Sequence, residues 1–168
     1  LKELKEHGQS APYVHTRIGF NSRLDSIQAA ILLAKLETLD RELDQRREHA
    51  EIYDSLLRGQ DSSIVTPTIE CAKKSSWAQY TIRIENRDKV ADHLRNQGIP
   101  TATYYPKPIY DQPAYSKFGD KGSAPNTETV CKEVISLPFY PGIALDDQKK
   151  VSSALHEAIE TCSLDSMQ

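Results

Sequence analysis

The 168-residue sequence has no apolar run long enough to cross a bilayer. Its most apolar stretch, Ala29–Ala34, is far too short, and no signal-peptide pattern stands at the start. It has no excess of either charge, the net being −3, so there is no electrostatic footprint for nucleic acid or for an anionic membrane. Hydrophobic residues are 38% of the chain, low for a globular domain, which fits a piece whose helices partly cover something else. The three cysteines, Cys71, Cys131 and Cys162, are odd in number and lack metal-ligand spacing. Reduced thiols in a cytoplasmic protein are expected. There is no glycine-rich phosphate loop, no His-Glu-x-x-His, no paired-cysteine zinc pattern and no nucleophile elbow. The five histidines have no spaced partners, and surface or capping roles are expected for them.

What is present is a long helical pattern. Ser22 stands three residues before Asp25, the spacing of a capping box, so a helix is expected from Ser22 to Arg58, stopped by Gly59. Ile27, Ala30, Ile31 and Ala34 make an apolar stripe that Leu32, Leu33 and Leu36 widen, which predicts a helix buried between other elements or between subunits. Further on the apolar positions narrow to Leu36, Leu39, Leu43, Ala50, Tyr53 and Leu57, a seam against one partner. Arg41, Glu42, Asp44, Arg46, Arg47 and Glu48 are read as a solvated face. The helix start, flanked by Asn21 and Arg23, could hold a phosphate or carboxylate; a plain capped core helix is the alternative.

Before it, residues 1–7 resemble the end of a helix stopped by Gly8, as if the chain began upstream, and Gln9–Phe20 read as a loop. After it, Gln60–Ser63 should turn and Ile64–Thr66 form a short strand broken at Pro67. A polar loop, Cys71–Ser76, precedes the alternating strand Trp77–Ile84, with Ala78, Tyr80, Ile82 and Ile84 on one face. Asn86 should cap a helix over Arg87–Gln97 that Gly98 ends, and Thr101–Tyr105 a further strand. Pro106–Pro125, with four prolines, is a long loop of the kind that is functional or mobile. A helix from Asn126 or Thr127 is expected to run through Val130, Val134 and Ile135. A last helix, capped by Asp146, carries Val151, Leu155, Ala158 and Ile159, with Ser163–Gln168 frayed. Together these give an α+β layer with helices on one sheet face.

The run Gly19-Phe-Asn-Ser-Arg-Leu-Asp, then Gln28-Ala-Ala-Ile-Leu, closely resembles the DegT/StrS family of nucleotide-sugar aminotransferases. The likeness continues through Arg47, Ala50, Tyr53 and Leu56, Gln79-Tyr80-Thr81, Gly98-Ile99-Pro100-Thr101, Tyr105-Pro106 and Ser136-Leu137-Pro138. It implies the C-terminal small domain of an aspartate-aminotransferase-like (fold type I) enzyme, with a long connecting helix and a small antiparallel sheet covered by helices. Residues 1–21 would be a remnant of the large cofactor-binding domain, 22–58 the connecting helix and 59–168 the small domain.

The resemblance implies pyridoxal 5'-phosphate as cofactor, a nucleotide-linked keto-sugar and an amino-acid donor as reactants, and a homodimer. It implies no catalytic residue in this chain, because the Schiff-base lysine lies upstream of the matched region; Lys117 is an ordinary loop lysine. Asn21 would reach the cofactor phosphate of the neighbouring subunit. Arg23 would grip a carboxylate or diphosphate with its planar fork. Tyr104, where many relatives have His, and Tyr105 would contact the sugar. Lys107 is read as solvated and Trp77 as core. Among family branches, UDP-linked 3-keto-glucuronate enzymes look most alike. The alternatives are an interaction module built on the helix, or a regulator or dehydratase of the same fold.

Overall fold

The computed structural model describes residues 1–59, 62–119 and 122–165, and side chains as far as 162. The chain divides into two compact units, Leu1–Arg41 and Glu42–Gln168.

In the first unit a short helix α1, Lys2–Lys5, is followed by a hairpin of β1, Gln9–Ala11, and β2, Val14–His15. The expected loop is thus partly paired. Gly8 lies in the left-handed region at φ +74°, and a Cβ there would meet the Arg17 carbonyl oxygen at 1.8 Å. A Cβ on Gly19 would lie 2.2 Å from the Gly8 nitrogen. Only glycines allow these two strands of backbone to cross so closely.

The crossing draws residues 19–22 out straight. Phe20 N–H donates to the Leu4 carbonyl at 2.7 Å and Ser22 N–H to that of Lys5 at 2.9 Å. With its amide engaged there, Ser22 does not start the helix. Helix α2 begins at Ser26, and Asp25 is its cap, accepting from the Ile27 amide at 2.8 Å.

The single helix expected over 22–58 is two helices: α2, Ser26–Leu36, and α3, Leu39–Leu57. At the break the Thr38 hydroxyl donates to the Lys35 carbonyl at 3.1 Å, in competition with the helical ladder. Nor is α2 buried. It has no buried residue, and Ile27, Ile31, Leu32, Leu33 and Leu36 are each more than half exposed. Its apolar stripe is exposed among the described residues.

In the second unit the sheet pairs β3, Tyr80–Arg83, with β4, Val134–Leu137, antiparallel, Tyr80 opposite Leu137 and Arg83 opposite Val134. Single bridges extend it on both sides, Val65 to Arg83 and Ala102 to Ser136. The strands expected at Ile64–Thr66 and Thr101–Tyr105 reduce to these bridges.

Strand β4 overturns the helix expected through Val134 and Ile135, since α5 spans only Pro125–Glu133. All four β4 residues are buried, so the strand shows no alternation. A central strand covered on both faces reads as a continuous apolar run.

Helix α4, Arg87–Asn96, ends as expected. Gly98 sits at φ +74°, and the amide of Ile99, 4% exposed, donates to Leu94 at 2.9 Å. Asn86 makes no side-chain cap; its own backbone is left-handed at φ +53°. Helix α6 runs Leu145–Asp165, so Asp146 lies inside its first turn instead of capping it. Part of the expected turn (Gln60, Asp61) and of the frayed end (166–168) lies outside the described residues.

One core unites the sheet with α3, α4 and α6: Tyr53, Leu57, Tyr80, Ile82, Leu94, Ile135 and Leu155 are all fully enclosed. At its centre Tyr53 stacks on Tyr80 at 4.9 Å, and Tyr80 on Trp77 at 5.9 Å. Trp77 is half-buried and packs against this core. The Tyr53 hydroxyl donates to the Pro138 carbonyl at 2.9 Å and that of Tyr80 to Asp54 at 2.7 Å. Burial raises both phenol pKa values far above the ordinary tyrosine range, and for Tyr80 the Asp54 hydrogen bond adds to it.

Candidate functional site

In the first unit, the crossing at Gly8 and Gly19 sets Asn21 in a bridge with Glu6. Asn21 and Arg23 are both exposed. Neither side chain makes a hydrogen bond or ion pair among the described residues. The Asp25 carboxylate already accepts from the Ile27 amide in the first turn of α2. The Asn21 amide and the Arg23 guanidinium are exposed side-chain donors beside it.

In the second unit, Tyr104 and Tyr105 follow the Ala102 bridge at the sheet edge. Their rings meet edge to face at 5.8 Å. Tyr104 is 45% exposed and borders a cleft of about 380 Å³ that runs along Pro100–Ala102 and Ser136–Phe139. Tyr105 is 72% exposed.

Beyond Tyr105 the loop is held down by α5. Glu128 accepts from the Tyr110 hydroxyl at 2.8 Å and from the Gly122 amide at 2.7 Å. Partial burial and then this carboxylate push the Tyr110 pKa up to about 12. Between the loop and α5 lies a second cleft of about 580 Å³, with Lys107 and Lys132 at its edges and Glu128 and Asp111 beside them. Lys117 is exposed, its ammonium 5.0 Å from the Phe118 ring.

Two residues carry more than their sequence positions suggested. Arg46, assigned above to the solvated face, is half-buried. It donates to the Trp77 carbonyl at 2.9 Å and lies 6.0 Å from the centre of the Phe139 ring. The signal was in the seam: 39, 43, 50, 53 and 57 alternate by three and four if 46 is included. His49, one of the histidines expected at the surface, is half-buried between the Gln148 amide oxygen at 3.1 Å and the Pro141 carbonyl at 2.9 Å.

Among the described residues no group of three His, Cys, Asp or Glu could hold a metal ion, and no helix is long and apolar enough to cross a membrane.

The fold is that of the fold-type I sugar aminotransferases. A crystal structure of Streptomyces venezuelae DesV, in complex with a ketimine intermediate, superposes with a TM-score of 0.85 at 35% identity, over 93% of this chain and 42% of that one. An aminotransferase from Brucella abortus gives 0.83 at 35% identity, with the same coverage. The chain belongs to the DegT/DnrJ/EryC1/StrS aminotransferase family, whose model matches residues 1–156.

Among curated relatives, the UDP-2-acetamido-2-deoxy-3-oxo-D-glucuronate aminotransferase of Pseudomonas aeruginosa is 40% identical over 155 residues, 92% of this chain. A pleiotropic regulatory protein of Geobacillus stearothermophilus is also 40% identical, over 156 residues and again 92% of this chain. The chain spans about 42% of the length of each of these relatives.

Proposed function

We propose that this chain is part of an enzyme that moves an amino group from an amino-acid donor, glutamate in our reading, onto a keto carbon of a nucleotide-linked sugar. The enzyme is a homodimer that uses pyridoxal 5'-phosphate. The observation that carries this is the family match over residues 1–156, together with 40% identity to an enzyme named for amino transfer to a UDP-linked 3-oxo-glucuronate. That name supports a sugar of the same type as substrate. The division into residues 1–21, 22–58 and 59–168 belongs to the same proposal. The setting is cytoplasmic, in keeping with three cysteines that form no disulfide.

The residues present fit the cofactor's phosphate end. Asn21 and Arg23 are exposed donors on a segment fixed by backbone pairing, and no acid is paired with either among the described residues. Bound pyridoxal phosphate supplies the electron sink and carries the amino group. This chain's share is positioning. Asn21 holds the phosphate belonging to the neighbouring subunit. Arg23 grips a carboxylate or diphosphate of the substrate. Tyr104 and Tyr105 meet the sugar. The lysine that binds the cofactor lies outside these 168 residues, so the chain by itself is inactive.

Borohydride reduction of the chain mixed with pyridoxal phosphate tests this last point. Mass spectrometry should find no lysine labelled in preference to the others. Stable labelling of one lysine refutes it. Amino transfer itself is tested in a longer polypeptide carrying this chain, where N21A should weaken cofactor affinity about tenfold or more, the loss of a charge-assisted hydrogen bond. Unchanged affinity removes Asn21 from the site.

The regulatory name of the Geobacillus relative supports a second reading, a regulator of the same fold. A longer polypeptide that binds the cofactor and transfers nothing from glutamate to a keto-sugar would favour it.

A further inference from the structure

The clefts of the second unit differ in chemistry. The one beside Lys107, the one along Arg47 and the one at Arg83 all contain charged side chains of both signs. The cleft beside Tyr104 contains none. It offers the amide of Gln79, the hydroxyl of Thr101 and the phenol of Tyr104. None of these three makes a hydrogen bond among the described residues. Ser136, at its floor, is engaged with the Thr81 hydroxyl at 2.7 Å. Phe139 adds an apolar wall, fixed against Tyr80 and Tyr53.

An amide and two hydroxyls each donate and accept. Such a set pairs with a ligand that does both, as neighbouring sugar hydroxyls or an acetamido group do. It suits a carboxylate or a phosphate poorly. Those groups accept only, and moving them from water to a lining without a cation costs desolvation that the lining does not return; the nearest guanidinium, Arg46, already donates to the Trp77 and Ala78 carbonyls. The volume, about 380 Å³, lies within the range of small-molecule sites.

We propose that the Tyr104 cleft takes the uncharged, hydroxyl- and acetamido-bearing part of the sugar, with Gln79 and Thr101 as its specificity-determining residues. Any carboxylate and the diphosphate are then met elsewhere. This rests on the aminotransferase reading for the presence of a sugar, and goes beyond it in naming which part of the sugar binds here and which side chains select it.

The test is a nuclear magnetic resonance titration of the ¹⁵N-labelled full chain with two probes, methyl N-acetyl-glucosaminide and methyl glucuronide. The neutral glycoside should shift the Gln79 side-chain amide and the Thr101 and Ala102 backbone amides saturably. The glucuronide should bind at least tenfold more weakly. Q79A and T101V should each weaken the neutral glycoside roughly three- to tenfold, the loss of one hydrogen bond. Because Gln79 is exposed, its removal should leave the unfolding midpoint unchanged.

Equal binding of the two probes, shifts confined to other regions, or indifference to both substitutions would overturn the inference. So would silence towards both glycosides. In that case, adding pyridoxal phosphate separates the two ideas: a shifted Asn21 side-chain amide leaves the aminotransferase reading standing, and a silent one counts against both.

Discussion

Replacing Arg46 with methionine keeps most of the stem and removes the head. The guanidinium gives up its bond to the Trp77 carbonyl at 2.9 Å and its place 6.0 Å from the Phe139 ring. A charge-assisted hydrogen bond is worth about 1.5–3 kcal/mol. A cation over an aromatic face adds about 0.5–1 kcal/mol at a partly exposed site. Some of this returns as water reaches the freed carbonyl, so R46M should cost about 2–3 kcal/mol. With a urea dependence of about 2 kcal/mol per molar, the unfolding midpoint should fall by about 1–1.5 M at unchanged slope. R46K retains charge and stem but not the planar fork, and about half the loss is expected. The assay is urea unfolding followed by the fluorescence of Trp77, whose segment Arg46 holds. A methionine variant within about 0.5 kcal/mol of the parent, a typical surface effect, would refute the claim that this arginine is part of the core's frame.

Y53F leaves the Pro138 carbonyl without its buried donor and should cost about 1–2 kcal/mol by the same unfolding assay, whereas a surface tyrosine such as Tyr105 should be neutral. G19A places a methyl 2.2 Å from backbone and should release the pairing of residues 20 and 22, read as faster hydrogen exchange at the Phe20 and Ser22 amides; unchanged exchange would contradict the crossing. The Tyr110 phenol, raised to about 12 in the folded chain from about 10 unfolded, contributes stability that is complete below pH 10 and is lost as the pH rises through 12. Ultraviolet titration of the parent against Y110F should isolate one late-titrating tyrosine, and E128A should bring it down towards 10.

Sequence legibility followed how local the cause was. Gly98 and Ile99 end α4 through contacts within five residues, and the alternation of Tyr80, Ile82 and Ile84 needs only one covered face, so both could be read directly. Strand β4 could not, because Val134–Leu137 is covered on both sides and shows no period. The cap of α2 falls at Asp25, three residues beyond the expected Ser22. Pairing with Leu4 and Lys5 overrides the local preference of Ser22 for a cap. The apolar run of α2 does not mark a buried helix among the described residues, where its stripe is exposed. At the site, the position of Tyr104 on the way out of the sheet was legible. The cleft it borders was not, since Gln79 and Phe139 come to it from distant parts of the sequence.

Because the Glu128 carboxylate accepts from both Tyr110 and Gly122, it joins the two ends of the stretch between them. Lengthening such a stretch costs only logarithmically, about 0.6 kcal/mol for each doubling. Inserting several residues between Ser116 and Lys117 should therefore leave both Glu128 hydrogen bonds, and the tyrosines ahead of the stretch, where they are. Loss of the acid at position 128 should instead free both ends at once.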